Sequence, residues 1–551
     1  MAVLLVPILL LLTAATGWAA SAVSAWWLIA AVPLALLFLL GLYDLLQRRH
    51  SILRNFPVLG HARFLLEDIR PELQQYFIER NYDGRPYDRD TRTVIYERAK
   101  GIHGEQAFGT ERDVAEVGYE YVIHSAAPLE PDPKPPHVRI GGPDCTRPYD
   151  MALLNVSAMS FGALSANALR ALNAGAAAGG FAHDTGEGGL TDYHLEGGGD
   201  LIWEVGSGYF GTRTKDGDFD PAMFRDKAAH PQVKCVSLKL SQGAKPGIGG
   251  VLPAAKVTRE IAEARGVPQG EKCVSPPAHR VFHTPRELVL FIARMRELSG
   301  GKPTGFKLCV GSRRELLAIC KAMLDEGVTP DFIVVDGSEG GTGAAPLEFE
   351  DHVGMPLTEG LITVHNALVG TGLRDRISIG ASGKVSTGID LVKRIAQGAD
   401  YTNASRAMMM AVGCIQAQMC HTNKCPVGVA TQDPRRSRAL DVADKSVRVR
   451  RFQEATVAQA QQIIAAMGLA GPHELTPAML HRRIDHTTVR SYAELFDWLE
   501  PGRLLDDAPE DWAADWAAAD PDRFTPQIRT PRTRASQIPS SQIRATRGAT
   551  A

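Results

Sequence analysis

The chain has 551 residues, 44% of them apolar and 22% charged, with a formal net charge of −2 at pH 7. That length exceeds one ordinary domain, although a (β/α)8 barrel alone absorbs about 250 residues or more. The near-neutral balance lacks the basic surplus that a phosphate backbone demands, which argues against a nucleic-acid partner.

Between Ala2 and Tyr43 there is no Asp, Glu, Lys, Arg or His. A bilayer span needs roughly 20 apolar residues, so this stretch predicts two transmembrane helices joined by a tight turn within residues 17–24. Trp18, Trp26 and Trp27 suit a headgroup boundary, and Arg48, Arg49 and Arg54 follow the second span at once. Positive residues beside a span are retained in the cytoplasm. Residues 1–50 are therefore expected to anchor the protein in the inner or plasma membrane, with the catalytic domain cytoplasmic. A signal peptide cleaved within 19–25 is the competing account, and the absence of a positive region before the apolar run counts against it.

Residues 51–150 are polar, rich in Pro and Asp, and weakly periodic, and are expected to form an extension packing on the domain C-terminal to them. From 151 to about 470, short apolar runs at 153–159, 201–205, 234–240, 305–310, 331–336, 377–381 and 401–404 alternate with amphipathic stretches. Thr284-Pro285-Arg286-Glu287 is a capping box with Pro at the first helical position, opening a helix over 288–298. Strand, turn and helix repeated in this way predict a parallel sheet with helical crossovers, and about seven units favour a closed barrel. A helical extension is expected over 471–526. The tail 527–551 carries Arg529, Arg532, Arg534, Arg544 and Arg547 without an acid, a disordered composition.

Glycines gather just after these runs, in Thr185-Gly-Glu-Gly-Gly189, Gly247 to Gly250, Asp336-Gly-Ser-Glu-Gly-Gly-Thr-Gly343 and Ser382-Gly383. Ligands of such barrels bind at the C-terminal ends of the strands, where glycine lets backbone N–H groups approach an anion. Gly206-Ser-Gly-Tyr-Phe-Gly211 matches a dinucleotide fingerprint but runs into polar, turn-like residues 212–220. With no helix to hold a pyrophosphate, it is discounted.

Of eight cysteines, Cys145, Cys235, Cys273, Cys309 and Cys320 are scattered, while Cys414-x5-Cys420-x4-Cys425-Pro426 crowd together. This suits a reducing compartment with one metal site. Three thiolates followed by Pro fit an iron–sulfur cluster lacking one iron. Zinc held by Cys420, His421 and Cys425 competes poorly, because adjacent Cys-His ligands fit a tetrahedral site badly.

The segment from Cys414 to Asp433 closely resembles the [3Fe–4S] region of the glutamate synthase large subunit. So do Met159-Ser-Phe-Gly-Ala-Leu-Ser165, Thr185-Gly-Glu-Gly-Gly189, Gln242-Gly-Ala-Lys-Pro-Gly247, Ser275-Pro-Pro277, Gly340-Gly-Thr-Gly-Ala-Ala-Pro346 and Gly372-Leu-Arg-Asp375, in the family's order across about 150–435. The resemblance implies an α/β fold, a (β/α)8 TIM barrel binding FMN beside a [3Fe–4S] cluster on Cys414, Cys420 and Cys425. It implies Met159, Ser160, Thr185 and Gly186 at the flavin ring and Lys307 as a cation near it. Gly337, Gly341, Thr342, Ser382, Gly383, Ala404 and Ser405 complete the cofactor site. Glu187, Gln242, Lys245 and Arg265 fall where the family surrounds 2-oxoglutarate or iminoglutarate, and a dicarboxylate calls for such cations.

The implied activity takes electrons singly from an external donor, ferredoxin-like or a reductase subunit, and delivers a hydride to an amino-acid or oxo-acid substrate. Departures are also visible. The chain opens Met1-Ala2 rather than with the family's glutaminase Cys nucleophile, and no β-helix domain follows the barrel. Ile248 and Val251 flank Gly249-Gly250 where the family's substrate loop is polar. A flavin-assisted transferase making an N-substituted glutamate, and a membrane-anchored electron-transfer or redox-sensing protein, are the alternatives.

Overall fold

The computed structural model describes residues 4–102, 104–105 and 107–525. The tail 527–551 lies outside the described residues. Two compact units emerge, Met1–Asp90 and Thr91–Ala551, so residues 51–90 group with the N-terminal hairpin.

In the first unit, α1 (Leu5–Ala22) packs along α2 (Leu28–Leu46). The stretches Leu5–Ala22 and Ala25–Leu46 are long and apolar enough to cross a membrane. The reversal is confined to Val23 and Ser24, because Gly17 stays helical and Ser24 Oγ accepts from Trp26 N at 3.4 Å to start a short 3-10 turn. Beyond α2 come α3 (Ser51–Asn55) and α4 (Leu59–Leu73), which continues as a π turn over Gln74–Ile78. Asp44, buried near the end of α2, accepts from Val58 N at 2.9 Å and pairs with His61 Nε2 at 3.0 Å.

The second unit holds eight parallel strands: β1 (Leu154–Val156), β2 (His183–Asp184), β3 (Leu201–Val205), β4 (Val233–Lys239), β5 (Thr304–Leu308), β6 (Phe332–Asp336), β7 (Ser378–Ser382) and β8 (Tyr401–Ala404). Each pairs with its successor and β8 returns to β1, closing a barrel in chain order. The predicted strand at 153–159 is shorter here, because the chain turns toward the barrel mouth after Val156. β2 has no counterpart among the predicted runs: two polar residues show no periodicity. The predicted capping box forms, with Thr284 Oγ1 accepting from Glu287 N at 3.1 Å, and its helix Pro285–Leu298 buries Leu288, Val289, Ile292, Met295 and Leu298. Over 471–525 the strands Leu480–Arg483 and Val489–Ser491 join Glu120–Val122 in a small antiparallel sheet, followed by the short helices Tyr492–Leu495, Arg503–Asp506 and Glu510–Ala518.

The N-terminal end of the barrel is sealed by the antiparallel pair His137–Ile140 and Tyr149–Ala152. Ile140 and Met151 pack there against Ala182, Ile202, Cys235, Phe332 and Tyr401. Asp331 fastens this plug: its carboxylate accepts from Gly142 N at 2.7 Å, Thr304 N at 2.7 Å and Arg296 Nε at 2.9 Å. Both Asp331 and Arg296 are buried, and removing one partner of such a pair strands the other charge. Asp331→Ala is expected to cost about 3–5 kcal/mol, read as a lower chemical-denaturation midpoint by circular dichroism with an unchanged slope.

Candidate functional site

With one barrel end plugged, the loops leaving the strands converge at the other. After β2, Asp184 Oδ1 accepts from Gly186 N at 2.9 Å, and Thr185 Oγ1 accepts from Glu204 N at 3.1 Å. Gly186 has φ +65°, and a Cβ there would lie 2.8 Å from Ser160 N and 3.0 Å from Met159 N. Only glycine lets the loop after β1 settle against the loop after β2, so Met159, Ser160, Thr185 and Gly186 stand together.

Beneath them Lys307, on β5, points its Nζ 3.5 Å from Glu204 Oε2 and 3.8 Å from Asp336 Oδ2. Burial opposes its charge, but Glu204, Asp336 and Asp184 outweigh that and raise its pKa above the ordinary lysine value. Burial, reinforced by the charge of Glu204, pushes the Asp184 carboxyl well above the usual range despite Lys307 nearby.

Glu187 Oε1 is 2.8 Å from Lys239 Nζ, which also donates to Gln242 Oε1 at 2.5 Å. Ser275 Oγ donates to the other Glu187 oxygen at 3.4 Å. Burial resists ionisation of Glu187, but Lys239, with Arg265 and Lys245 further off, overcomes it and lowers the pKa. A Cβ at Gly250 would collide with Glu187 Oε1, and one at Gly206 would sit 2.6 Å from Oε2. The dinucleotide-like run thus packs on Glu187, and the helix after it begins only at Pro221. Lys245 Nζ donates to Ala344 O at 2.9 Å. Burial, aided by Lys239, lowers its pKa to about 8. Arg265 is buried and committed to protein groups, donating to Phe161 O at 3.0 Å and Ser160 Oγ at 3.3 Å over the Phe210 ring.

The loops after β6, β7 and β8 adjoin. Gly337 N donates to Ser382 O at 2.9 Å, and Ser382 Oγ lies 3.3 Å from Ser157 Oγ. Gly383 has φ +142°, and a Cβ there would meet Leu357 at 3.3 Å and Gly337 N at 3.4 Å. Gly341 packs on Arg406, while Thr342 Oγ1 donates to Ala344 O, the carbonyl that also receives Lys245. Ala404 ends β8, and Ser405 precedes the helix Arg406–Val412 without its side chain capping it. Asn403 Oδ1, buried at that strand end, has no hydrogen-bond partner.

After this helix, positive φ at Gly413, Gln416, Gln418 and Asn423 folds the chain around a small cavity. Cys414, Cys420 and Cys425 line it with the apolar Met409, Val427 and Val429. Burial pushes the Cys414 thiol up to about 12, with the other two cysteines adding. The Cys420 thiol is likewise raised by burial and by Cys425, against Lys256. Among the described residues no three His, Cys, Asp or Glu side chains converge as ligands of one metal ion. The segment is stapled to the loop after β1: Ser165 N donates to Val429 O at 2.9 Å, Gln432 Nε2 to Leu164 O at 2.8 Å, and Lys256 Nζ to Ala163 O at 2.8 Å and Cys420 O at 3.2 Å.

Residues 137–470 match the family model described as the conserved region in glutamate synthase. The chain belongs to the glutamate synthase family. It is 37% identical over 505 residues to the glutamate synthase large subunit-like protein YerD of Bacillus subtilis (strain 168), covering 84% of this chain and 95% of that protein. It is 35% identical over 314 residues to the archaeal-type glutamate synthase [NADPH] of Thermotoga neapolitana, covering 57% of this chain and 59% of that protein. The chain thus spans under two thirds of the length of that archaeal-type relative. Among solved structures, a flavocytochrome b2 variant with sulfite bound aligns at 13% identity and a TM-score of 0.40, over 85% of this chain and 95% of that one. That likeness is too low to inform the chemistry here.

For this glutamate synthase family member, three residues absent from the sequence-based set emerge. Lys239 is the partner of Glu187; a lysine inside the otherwise apolar strand run 234–240 was the available signal. His279 donates from Nε2 to Lys239 O at 2.8 Å, with Nδ1 3.1 Å from Tyr209 Oη, and burial lowers its pKa to about 4, so it is a neutral prop. Lys256 gave no signal, because its partners are backbone carbonyls.

Lys239→Met would leave Glu187 buried without its hydrogen-bonded cation, at a cost of about 3–5 kcal/mol. The folded-state pKa of Glu187 is depressed, so the stability from the pair is present above the unfolded carboxylate value and lost as pH falls through the folded one. The deficit of Lys239→Met, measured by denaturant titration, is therefore expected to be full at pH 7 and to shrink only below about pH 4.5, the ordinary value from which Glu187 is lowered.

Proposed function

We propose that this protein is a membrane-anchored oxidoreductase, dependent on FMN and a [3Fe–4S] cluster, that reduces the imine or oxo carbon of an iminoglutarate-like substrate. The observation that carries this reading is the Glu187, Lys239, Gln242 and Lys245 cluster on the same rim as the glycine cradle of β6 and β7. Family membership supplies the general oxidoreductase class.

The residues fit FMN on two counts. Gly383 holds a φ of +142° that L side chains rarely adopt, keeping that strand end bare, and Asn403 Oδ1 is a buried acceptor with no partner among the described residues. Met159, Ser160, Thr185 and Gly186 would line the ring and Lys307 would lend it positive charge. Gly337, Gly341, Thr342, Ser382, Gly383, Ala404 and Ser405 would hold the phosphate end, where such barrels bind phosphate. Bound there, FMN supplies the junction between one-electron delivery and hydride chemistry. The cysteine cavity supports the cluster reading by its donor set: Cys414, Cys420 and Cys425 line one apolar pocket, and thiolates are the ligands such clusters take. The electron donor is external, ferredoxin-like or a reductase subunit, because the one dinucleotide-like run packs on Glu187 instead of opening a helix.

Within this site Lys239 and Lys245 supply the cations for a substrate carboxylate, and Glu187 balances them. Lys245 also stands where charge develops on the reacting carbon. Arg265 acts by positioning, holding the loop 159–161 against the ring site. The hairpin of α1 and α2 holds the chain at the inner or plasma membrane with the barrel in the cytoplasm.

Purified full-length protein is expected to carry one FMN and about three irons per chain. Replacing Cys414, Cys420 and Cys425 together by Ser should remove the iron and leave most of the flavin; zinc without iron in the wild type sinks the assignment. Anaerobic flavin reoxidation against a panel of oxo acids with ammonia tests the site. Lys245→Ala should slow it by about 10²–10³ with FMN content intact. Because burial sets the Lys245 pKa near 8, the wild-type rate should fall as pH rises through about 8. Lys245→Arg should carry that fall to higher pH. A wild-type profile flat across this range counts against Lys245 as the working cation.

A further inference from the structure

The start of α4 is fixed at the end of α2. Asp44 stands two residues before α2 ends and binds both Val58 N and His61 Nε2, so it clamps the entry to α4 against the last turn of the second candidate span. Two residues are about 3 Å of helix rise. If α2 crosses a bilayer, α4 therefore begins at the headgroup level rather than deep in water or in the acyl core.

From there α4 is strongly two-faced. At 100° per residue, Leu59, Ala62, Leu65, Leu66, Ile69 and Leu73 fall within an arc of about 120°, the width of an amphipathic stripe. Arg63, Glu67, Asp68, Arg70 and Glu72 lie outside it. Among the described residues of its own unit the stripe meets no core: Leu65 is 63% and Leu66 58% exposed, and the π turn Gln74–Ile78 prolongs it with Phe77 at 81%. An apolar stripe of this size left in water marks an interaction surface. Its continuity with the hairpin through the Asp44 clamp says which surface.

We propose that α4 and residues 74–78 lie in the plane of the bilayer that α1 and α2 cross, with the apolar stripe sunk to the headgroup–acyl boundary. This rests on the membrane reading of the hairpin. The partner is the phospholipid surface itself. The polar face mixes both signs, with Arg63 Nε bonded to Glu67 at 2.8 Å, so seating depends on apolar burial and not on anionic headgroups.

Photo-cross-linking of the full chain tests this. p-Benzoylphenylalanine is introduced singly at Leu66, Leu73, Asp68 or, inside the span, Leu36, and each protein is reconstituted into phosphatidylcholine vesicles carrying a tritiated lipid. Lipid adducts are expected at Leu66, Leu73 and Leu36 and lost at Asp68, with no change when phosphatidylglycerol is added. Lipid adducts at Leu36 combined with protein–protein adducts, or none, at Leu66 and Leu73 overturn the proposal and leave the anchor standing. Absence of lipid at Leu36 overturns both. A yield at Leu66 that appears only with phosphatidylglycerol overturns the apolar seating.

Discussion

Lys307 carries a full charge into the interior of the barrel, and it can do so because Glu204, Asp336 and Asp184 surround it. Removing an ion from water is costly, so a lysine here exists only with carboxylates placed to meet it. Those carboxylates come from β2, β3 and β6, and two of them are also tied to backbone. Asp184 receives Gly186 N, and Asp336 Oδ2 receives Gly243 N at 3.0 Å. The charge balance below the rim therefore fixes the loops above it, including those that carry Thr185 and Gln242.

The same economy appears one layer higher. Glu187 is ionised by Lys239, Lys239 is held by Gln242, and His279 props the end of the strand from which Lys239 projects. Glycines at 206 and 250 close around the carboxylate because any side chain there would strike it. These groups are organised without any ligand, since their charges already face one another in a poorly solvated mouth. The cysteine cavity joins this assembly through the loop after β1, so that one loop touches both Gly186 and, through Ala163 and Lys256, Cys420.

Much of this was legible in one dimension for physical reasons. An uncharged run from 2 to 43 can only be buried in lipid or protein, and it forms two long apolar helices. Buried parallel strands are continuous apolar runs, and seven of the eight stood out. The capping box at Thr284 is a local interaction and formed as written. The glycine clusters fell on one rim because a closed parallel barrel leaves its strand ends nowhere else to go. Strand β2 was not legible, since two polar residues carry no period.

What the sequence determined by itself was the order of elements, the apolar hairpin and the residue types offered to the site, because periodicity, capping and turn chemistry act between near neighbours. What only the tertiary structure decided was partnership. Lys239 meeting Glu187, Asp331 gathering Gly142, Thr304 and Arg296, Arg265 spent on Ser160 and Phe161, and Asp44 gripping His61 all depend on which side chains lose water together. Burial sets the worth of a charge, and burial is a property of the closed barrel and the packed hairpin, to which residues distant in the chain contribute jointly.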